Sequence, residues 1–374
     1  MRQGSRRGAA GSVRRKIRGG MRLVRRGLLY IVVTVLLIAG VLAVKPAPID
    51  PAPWDPPAVP ELVGPLAPNT RLAAAEHLGV GQIDGPEDVE TDAQGRVYGG
   101  TNAGAIVRVD GAQVETFAQT GGRPLGLDFA PDGALIVADA VQGLLRVDAG
   151  GAVTTLCTAS GETKFGFTDD VAVASDGTIY FSDASVKFGF GDHMLDLLEG
   201  RAHGRLIAWD PATKACRTLL SELYFANGVA LAQDESFVAV NETYRYRITR
   251  WWLKGPKAGT SDVLIEGLPG FPDGVAASGR GTFWVAMFTV RNPAGDFLAP
   301  RPLLKKMVAN LPRALWPKPA PYGLVIEVDE QGRILQSLHD PDGASVQEVT
   351  SVHERDGVIY LGHLHRDRID RVKL

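Results

Sequence analysis

The sequence predicts an all-β fold, a six-bladed β-propeller carried behind an N-terminal transmembrane helix. Three observations lead there. A strand–turn–strand pattern built on Asp and Gly turns recurs six times after residue 85. Most copies continue into a third β-rich run and several into a fourth, so the unit is a four-stranded antiparallel sheet. Residues 1–26 carry ten Lys or Arg and no Asp or Glu, and an uncharged apolar run follows them directly.

The elements are justified in chain order. Residues 1–26 read as a basic cytoplasmic arm. Residues 27–44, "GLLYIVVTVLLIAGVLAV", are about the shortest stretch that crosses a bilayer as a helix. Lys and Arg on one flank predict that this flank stays in the cytoplasm. A cleaved signal peptide is the competing reading, and "VLAVKPAP" offers only a poor cleavage site for it. A basic arm also suits nucleic acid, but its place beside an apolar span favours the membrane, so no nucleic-acid partner is expected. Residues 45–68 are proline-rich and predict an extended, semi-rigid spacer between membrane and body.

Residues 69–374 form the body. Of 40 basic residues ten lie in the arm, leaving 30 against 42 acidic ones in all that follows it, a balance of −12. The body is therefore acidic, and its expected location is extracytoplasmic. The six copies start at "PEDVETDAQGRVYGG", "PLGLDFAPDGALIVAD", "TDDVAVASDGTIYFSD", "ANGVALAQDESFVAVNE", "FPDGVAASGRGTFWVA" and "VTSVHERDGVIYLGH". Radial four-stranded units make a propeller; two β-sandwiches are the alternative. The sixth copy stops after its third strand, and "LAAAEHLGVG" is placed to supply the missing outer strand. Insertions at 186–204 and 291–321 interrupt copies three and five, and long insertions of this kind serve as lids or binding loops. Cys157 and Cys216 are the only cysteines, and the sequence leaves their pairing open.

The inner strand of a blade runs along the channel, so residues at its start converge on the axis. Aligned there are Glu87, Leu125, Asp169, Asn227, Asp273 and Thr350. Glu87, Asp169 and Asp273 in one channel repel unless protonated or neutralised by a cation. With Asn227 they make an oxygen-only donor set, which indicates Ca²⁺ before Zn²⁺. Asp88 and Asp170, one residue on, are a candidate second site, or else they bond nearby backbone amides. A bound Ca²⁺ polarises an ester or lactone carbonyl, with Asp273 or Asp169 as general base. The expected substrate is a small-molecule ester or lactone. A structural ion in a non-catalytic scaffold is the alternative.

Other motifs add little. No glycine-rich phosphate loop, Gly-x-Ser-x-Gly elbow or Cys-His pair is present. His363 and His365 fall on a strand away from the channel, whereas His193 and His203 sit in an insertion within reach of a substrate. Asn241-Glu242-Thr243 is a glycosylation sequon.

"GTIYFSDAS", "GRLIAWDPATKACRTLLSELYFANGVAL", "RITRWWLKGPKAGTSDVLIEGLPGFPDGV" and "GTFWVAMF" resemble the strictosidine synthase-like family, in its branch of adipocyte plasma membrane-associated proteins. The resemblance runs from about Pro86 to Leu374 and implies a six-bladed propeller. It also implies kinship with calcium-dependent paraoxonases and gluconolactonases, hence arylesterase or lactonase chemistry. Glu87, Asn227 and Asp273 match the paraoxonase calcium ligands in type. Asp169 stands where those enzymes place Asn, Gly274 where they place a second Asn, and Leu125 where they place a catalytic-site His. Asp88 and Asp170 resemble their structural-calcium residues. Thr350 stands where strictosidine synthase carries its essential glutamate, so amine–aldehyde condensation is the least expected activity.

Overall fold

The computed structural model describes residues 6–374, with side chains from Arg25 onward. Residues 1–5 of the basic arm lie outside the described residues, as do its side chains through residue 24. The rest of the arm does not stand apart from the apolar run. One continuous helix, α1, covers Arg6–Val44, and its Arg25–Val44 part is unburied by the body and long and apolar enough to cross a membrane.

Six four-stranded antiparallel sheets follow, five of them built from four consecutive strands of the chain. The inner strands are Val89–Thr91, Pro124–Phe129, Thr168–Val173, Ala226–Leu231, Gly270–Ala277 and Val349–Arg355. The sixth sheet takes Glu76–Leu78 as its outer strand, paired antiparallel with Ile369–Lys373. The segment before the first repeat thus closes the ring, as its position predicted. Closure removes two open sheet edges and ties the two ends of the propeller together.

The core lies between blades. Ile136, Leu144, Val171, Phe181 and Ile207 fill one gap between sheets, and Trp284, Val325, Val352, Ile359 and Leu361 fill another. Alternation along each strand sends these side chains to the facing sheets. Cys157 and Cys216 are joined, linking the outer strands of blades two and three across 59 residues of sequence.

The insertions form a roof over one face. They carry α2 (His193–Glu199), α3 (Pro293–Leu298) and α4 (Pro302–Ala309). Asn292 caps α3, its side chain accepting the Ala294 amide. Beneath this roof runs the proline-rich segment, and here the structure departs from the expected spacer. Its Ala52 amide donates to Glu199 O at 2.8 Å and its Trp54 amide to Ala299 O at 3.1 Å. Arg291 donates to Pro57 O, and Lys305 Nζ to Ala52 O. Proline removes amide donors but leaves carbonyl acceptors, and the body's cations take them. The segment is a strap on the propeller. At its start, Asn310 after α4 donates to the Leu42 and Lys45 carbonyls, both at 3.1 Å, and so fixes the end of α1 beside the roof.

Candidate functional site: the propeller axis

Side chains reach the axis through local irregularities in the inner strands. In five blades the ladder register shifts at the aligned position: between Pro124 and Gly126, Thr168 and Val171, Ala226 and Val229, Pro272 and Val275, and Val349 and Ser351. A bulge adds an unpaired residue and re-aims its side chain. In the first blade the inner strand begins only at Val89, which leaves Glu87 ahead of the pairing.

Close approach between blades explains the glycines that follow Asn227 and Asp273. A Cβ on Gly228 would stand 2.4 Å from Val275 N, and one on Gly274 would stand 2.6 Å from Thr350 O. Neighbouring backbones occupy the space that any side chain would need. The next blade thus leaves no room for a side chain at 274.

Glu87, Leu125, Asp169, Asn227, Asp273 and Thr350 all line one cavity of about 210 Å³ under the roof. Its remaining wall is mainly aromatic and aliphatic, with Phe167, Phe190, Phe225, Tyr244 and Phe271 prominent, and Trp54 of the strap lies on it. The backbones of the site residues are held from below. Thr350 Oγ1 donates to Glu87 O, Asn241 Nδ2 to Asp273 O at 2.6 Å, and Thr243 Oγ1 to Pro272 O at 2.7 Å. Asn241 is fully buried by this role, so its sequon is no glycan acceptor.

The electrostatics are those of crowded, dry acid. Burial first, then Asp273, Asp169 and Asp88, push the Glu87 carboxyl well above its usual range. Burial, then Asp273, Asp170 and Asp183, do the same to Asp169. Burial raises Asp273 to about 8, against a hydrogen bond from the Asn227 side chain. Asp169 Oδ2 is buried with no hydrogen-bond partner. Arg123, which carried no signal in the repeat, pulls Glu87 and Asp169 back down. It is 1% exposed, its three side-chain nitrogens lack partners, and it packs against the Phe190 ring.

Asp88 and Asp170 take the other direction. They line a second cavity, of about 280 Å³, on the far side of the ring formed by Glu87, Asp169, Asn227 and Thr350. Asp88 Oδ1 accepts the Val89 amide and Oδ2 the Leu127 amide of the next blade. Asp170 likewise accepts from Val171 and, in the next blade, Val229. Asp128 repeats the cross-blade bond with Val173 at 2.7 Å. These carboxylates stitch adjacent inner strands. Their oxygens are engaged by backbone amides, the role weighed against a second metal site.

Among the described residues no group of three or more His, Cys, Asp or Glu is assembled as a metal cluster. The donor set nonetheless fits a hard cation. Three carboxylates and an amide face one cavity, one oxygen is orphaned, and mutual repulsion is what a cation would relieve.

The histidines divide only in part as expected, since His203, expected within reach of a substrate, does not line the cavity. His363 lies buried against Asp370, and His365 bonds Glu348, both away from the axis. His203 bonds Glu199 at 2.7 Å. His193 lines the upper cavity.

Comparison with known proteins agrees with this geometry. The family described as strictosidine synthase matches residues 169–256, and its strictosidine synthase-like N-terminal part matches residues 64–109. The adipocyte plasma membrane-associated protein of Rattus norvegicus is 37% identical over 362 residues, covering 90% of this chain and 96% of the relative. Among solved structures, a gluconolactonase from Xanthomonas campestris superposes with a TM-score of 0.58 at 17% identity, over 88% of this chain and 99% of the other. The calcium-binding protein regucalcin from Agrobacterium tumefaciens does so with a TM-score of 0.55 at 13% identity, over 79% and 92%. Those two likenesses concern the fold. Full-length identity and the matched family segments carry the assignment: the chain belongs to the strictosidine synthase-like family, with the adipocyte plasma membrane-associated proteins among its relatives.

Proposed function

We propose that this protein is a membrane-anchored, calcium-dependent hydrolase of esters or lactones, its propeller outside the cytoplasm. The observation that carries the reading is the orphaned Asp169 Oδ2 in a cavity shared with Glu87, Asn227 and Asp273. Burying carboxylates without a hydrogen-bonded or ionic partner is costly, and a bound cation would offset that cost. Glu87, Asp169, Asn227 and Asp273 would hold the cation. When bound, it supplies Lewis-acid polarisation of a carbonyl and stabilises the oxyanion formed on attack. The calcium-binding neighbour of similar fold accords with this.

The chain's own residues do the remainder. The bonds from Thr350, Asn241 and Thr243 fix the backbone at Glu87, Asp273 and Pro272, so the side chains are pre-positioned. Phe167, Phe190, Phe225, Tyr244 and Phe271 offer an apolar surface to an acyl or aryl group and keep bulk water away. The Leu125 side chain belongs to this apolar wall and brings no proton-transfer group. Thr350 donates its hydroxyl to the Glu87 carbonyl and brings no carboxylate to the axis, which disfavours amine–aldehyde condensation.

The test uses the full chain in detergent, because the strap residues pack against the roof. Aryl esters and lactones are assayed with calcium and with chelator. Turnover lost on chelation and restored by calcium supports the reading. Turnover that survives both chelation and Asp273→Asn defeats the mechanism. A melting temperature that falls on chelation, with no turnover across the panel, assigns the ion to scaffold duty.

A further inference from the structure

Seven histidines occur in the chain. Six have a ring nitrogen bonded to a partner, from Asp370 at His77 to Glu348 at His365. The ring of His193 has none. It opens α2 in the roof, and it lines the same cavity as Glu87, Asp169, Asn227 and Asp273. Two contacts set its place. Tyr244 Oη donates to His193 O at 2.9 Å, and Arg313 holds the preceding turn through Gly191 O and the Asp192 carboxylate. Tyr244 itself comes from blade four and lines the same cavity.

Polar side chains in an apolar wall are usually bonded. The His193 ring is half-buried and, alone among the seven, is left free to bond water or a guest in that cavity. On the hydrolase reading above, the carboxylates that hold a cation have their oxygens engaged and cannot also accept a proton well. A proton acceptor must then come from elsewhere in the cavity.

On that reading, we infer that His193 is the general base of the hydrolysis, acting from the roof on a water placed above the carboxylate ring. Its ring nitrogen takes one proton of the water as the water oxygen bonds the acyl carbon. The bond from acyl carbon to leaving oxygen then breaks, and the imidazolium returns its proton to that oxygen. Ester and water become acid and alcohol, and the histidine ends neutral.

The surroundings keep the ring in its accepting form. Burial first, then His365 from the blade-six loop and Arg313 from beyond α4, pull the imidazole below the usual 6.5; Asp192 opposes them. Tyr244 is neutral beside it, pushed well above its usual range by burial and by Asp196, Asp273 and Asp169. This base is supplied by an insertion. The corresponding inner-strand position in blade two is Leu125, so the catalytic pair would be split between ring and roof.

The experiment compares full-length wild type, His193→Gln and His193→Ala in detergent. His193→Gln is expected to lower kcat by about 10²–10⁴-fold, the usual worth of a general base. Its KM and its calcium-dependent gain in melting temperature stay at wild-type values. Added imidazole restores part of the His193→Ala rate, and the acidic limb of the wild-type pH profile disappears in both variants. Independently of turnover, ¹⁵N-imidazole NMR of the full chain should show His193 neutral down to below pH 6.5, a resonance distinct from that of His339, which burial also lowers, and absent from His193→Gln. Wild-type kcat in His193→Gln, or a His193 resonance that is protonated at neutral pH, overturns the assignment while leaving the hydrolase reading intact. A wild type inactive on every ester and lactone fells the hydrolase reading and this base with it.

Discussion

Two sets of buried carboxylates share the propeller axis and do different things. Below the ring, Asp88, Asp128 and Asp170 each hold a backbone amide of the next blade. Above it, Glu87, Asp169 and Asp273 face an apolar cavity, and one Asp169 oxygen bonds nothing. Burial pushes both sets up: Asp88 to about 7, Asp128 to about 8 and Asp273 to about 8. The lower cavity also contains a basic group of its own. His353 stands 3.0 Å from Glu90, and although burial pulls its imidazole down, Glu90 and the neighbouring Asp88 and Asp128 raise it overall. Beside the upper set Arg123 is buried with its guanidinium unbonded, and Arg245, Lys305 and Lys318 line the upper cavity. A perturbed carboxyl therefore does not mark a site by itself. What marks the upper set is an orphaned carboxylate oxygen within a group of three carboxylates that share one cavity.

The sharpest way to break this comparison is a pair of substitutions, one from each set. Asp273→Asn should lower turnover by on the order of 100-fold or more and abolish the stabilisation by calcium, because one cation-holding oxygen and its charge are lost. Its fold without calcium should be as stable as wild type or more so, since a repelling charge is gone. Asp170→Ala should behave the other way. It strands the buried amides of Val171 and Val229 and should cost about 2–5 kcal/mol in denaturant unfolding, with turnover following the folded fraction. If Asp273→Asn is the more destabilising of the two, the division between working and stitching carboxylates is wrong.

A smaller effect tests whether the stitching extends outward. Cys216→Ser removes the bond between the outer strands of blades two and three and should cost about 2–4 kcal/mol, with kcat unchanged in the folded protein. A change in kcat would mean that the outer rim reaches the axis.

The smallest effect is the pH dependence of stability under chelation. These acids have raised values when folded, so the folded state binds protons more tightly than the unfolded chain. Their stabilising contribution is full below the ordinary aspartate value of 3.8 and is lost as pH rises through about 8. The melting temperature of the chelated protein should therefore decline over that window. Calcium should flatten only the upper set's share, leaving the slope due to Asp88, Asp128 and Asp170. A slope that vanishes altogether with calcium would place a cation below the ring as well.

Much of the axis was legible from repetition. Glu87, Asp169, Asn227 and Asp273 share one column of the repeat, and that column is where the bulges fall. The stitching role was less legible. Asp88 and Asp170 share the next column, but Asp128 lies two residues beyond it, beside Glu90 and His353 in the lower channel. Arg123 left no trace in the sequence, because a single arginine before a strand is ordinary until its neighbours are known. His193 was within reach only as one of two histidines in an insertion; Glu199 at 2.7 Å from His203 is what separates them.

The sequence by itself determined the number of blades, the strand that closes the ring, the apolar helix and the column of oxygen donors. These follow from periodicity, since alternation and turn chemistry act over a few residues. Tertiary structure alone decided that the proline-rich segment lies as a strap, that the two cysteines meet, and which carboxylates the backbone uses. Each of those outcomes depends on groups far apart in the chain: Ala52 with Glu199, Cys157 with Cys216, Asp170 with Val229. Local pattern contains no information about such partners. It fixes which face a side chain takes, whereas the packed blades fix what it meets there.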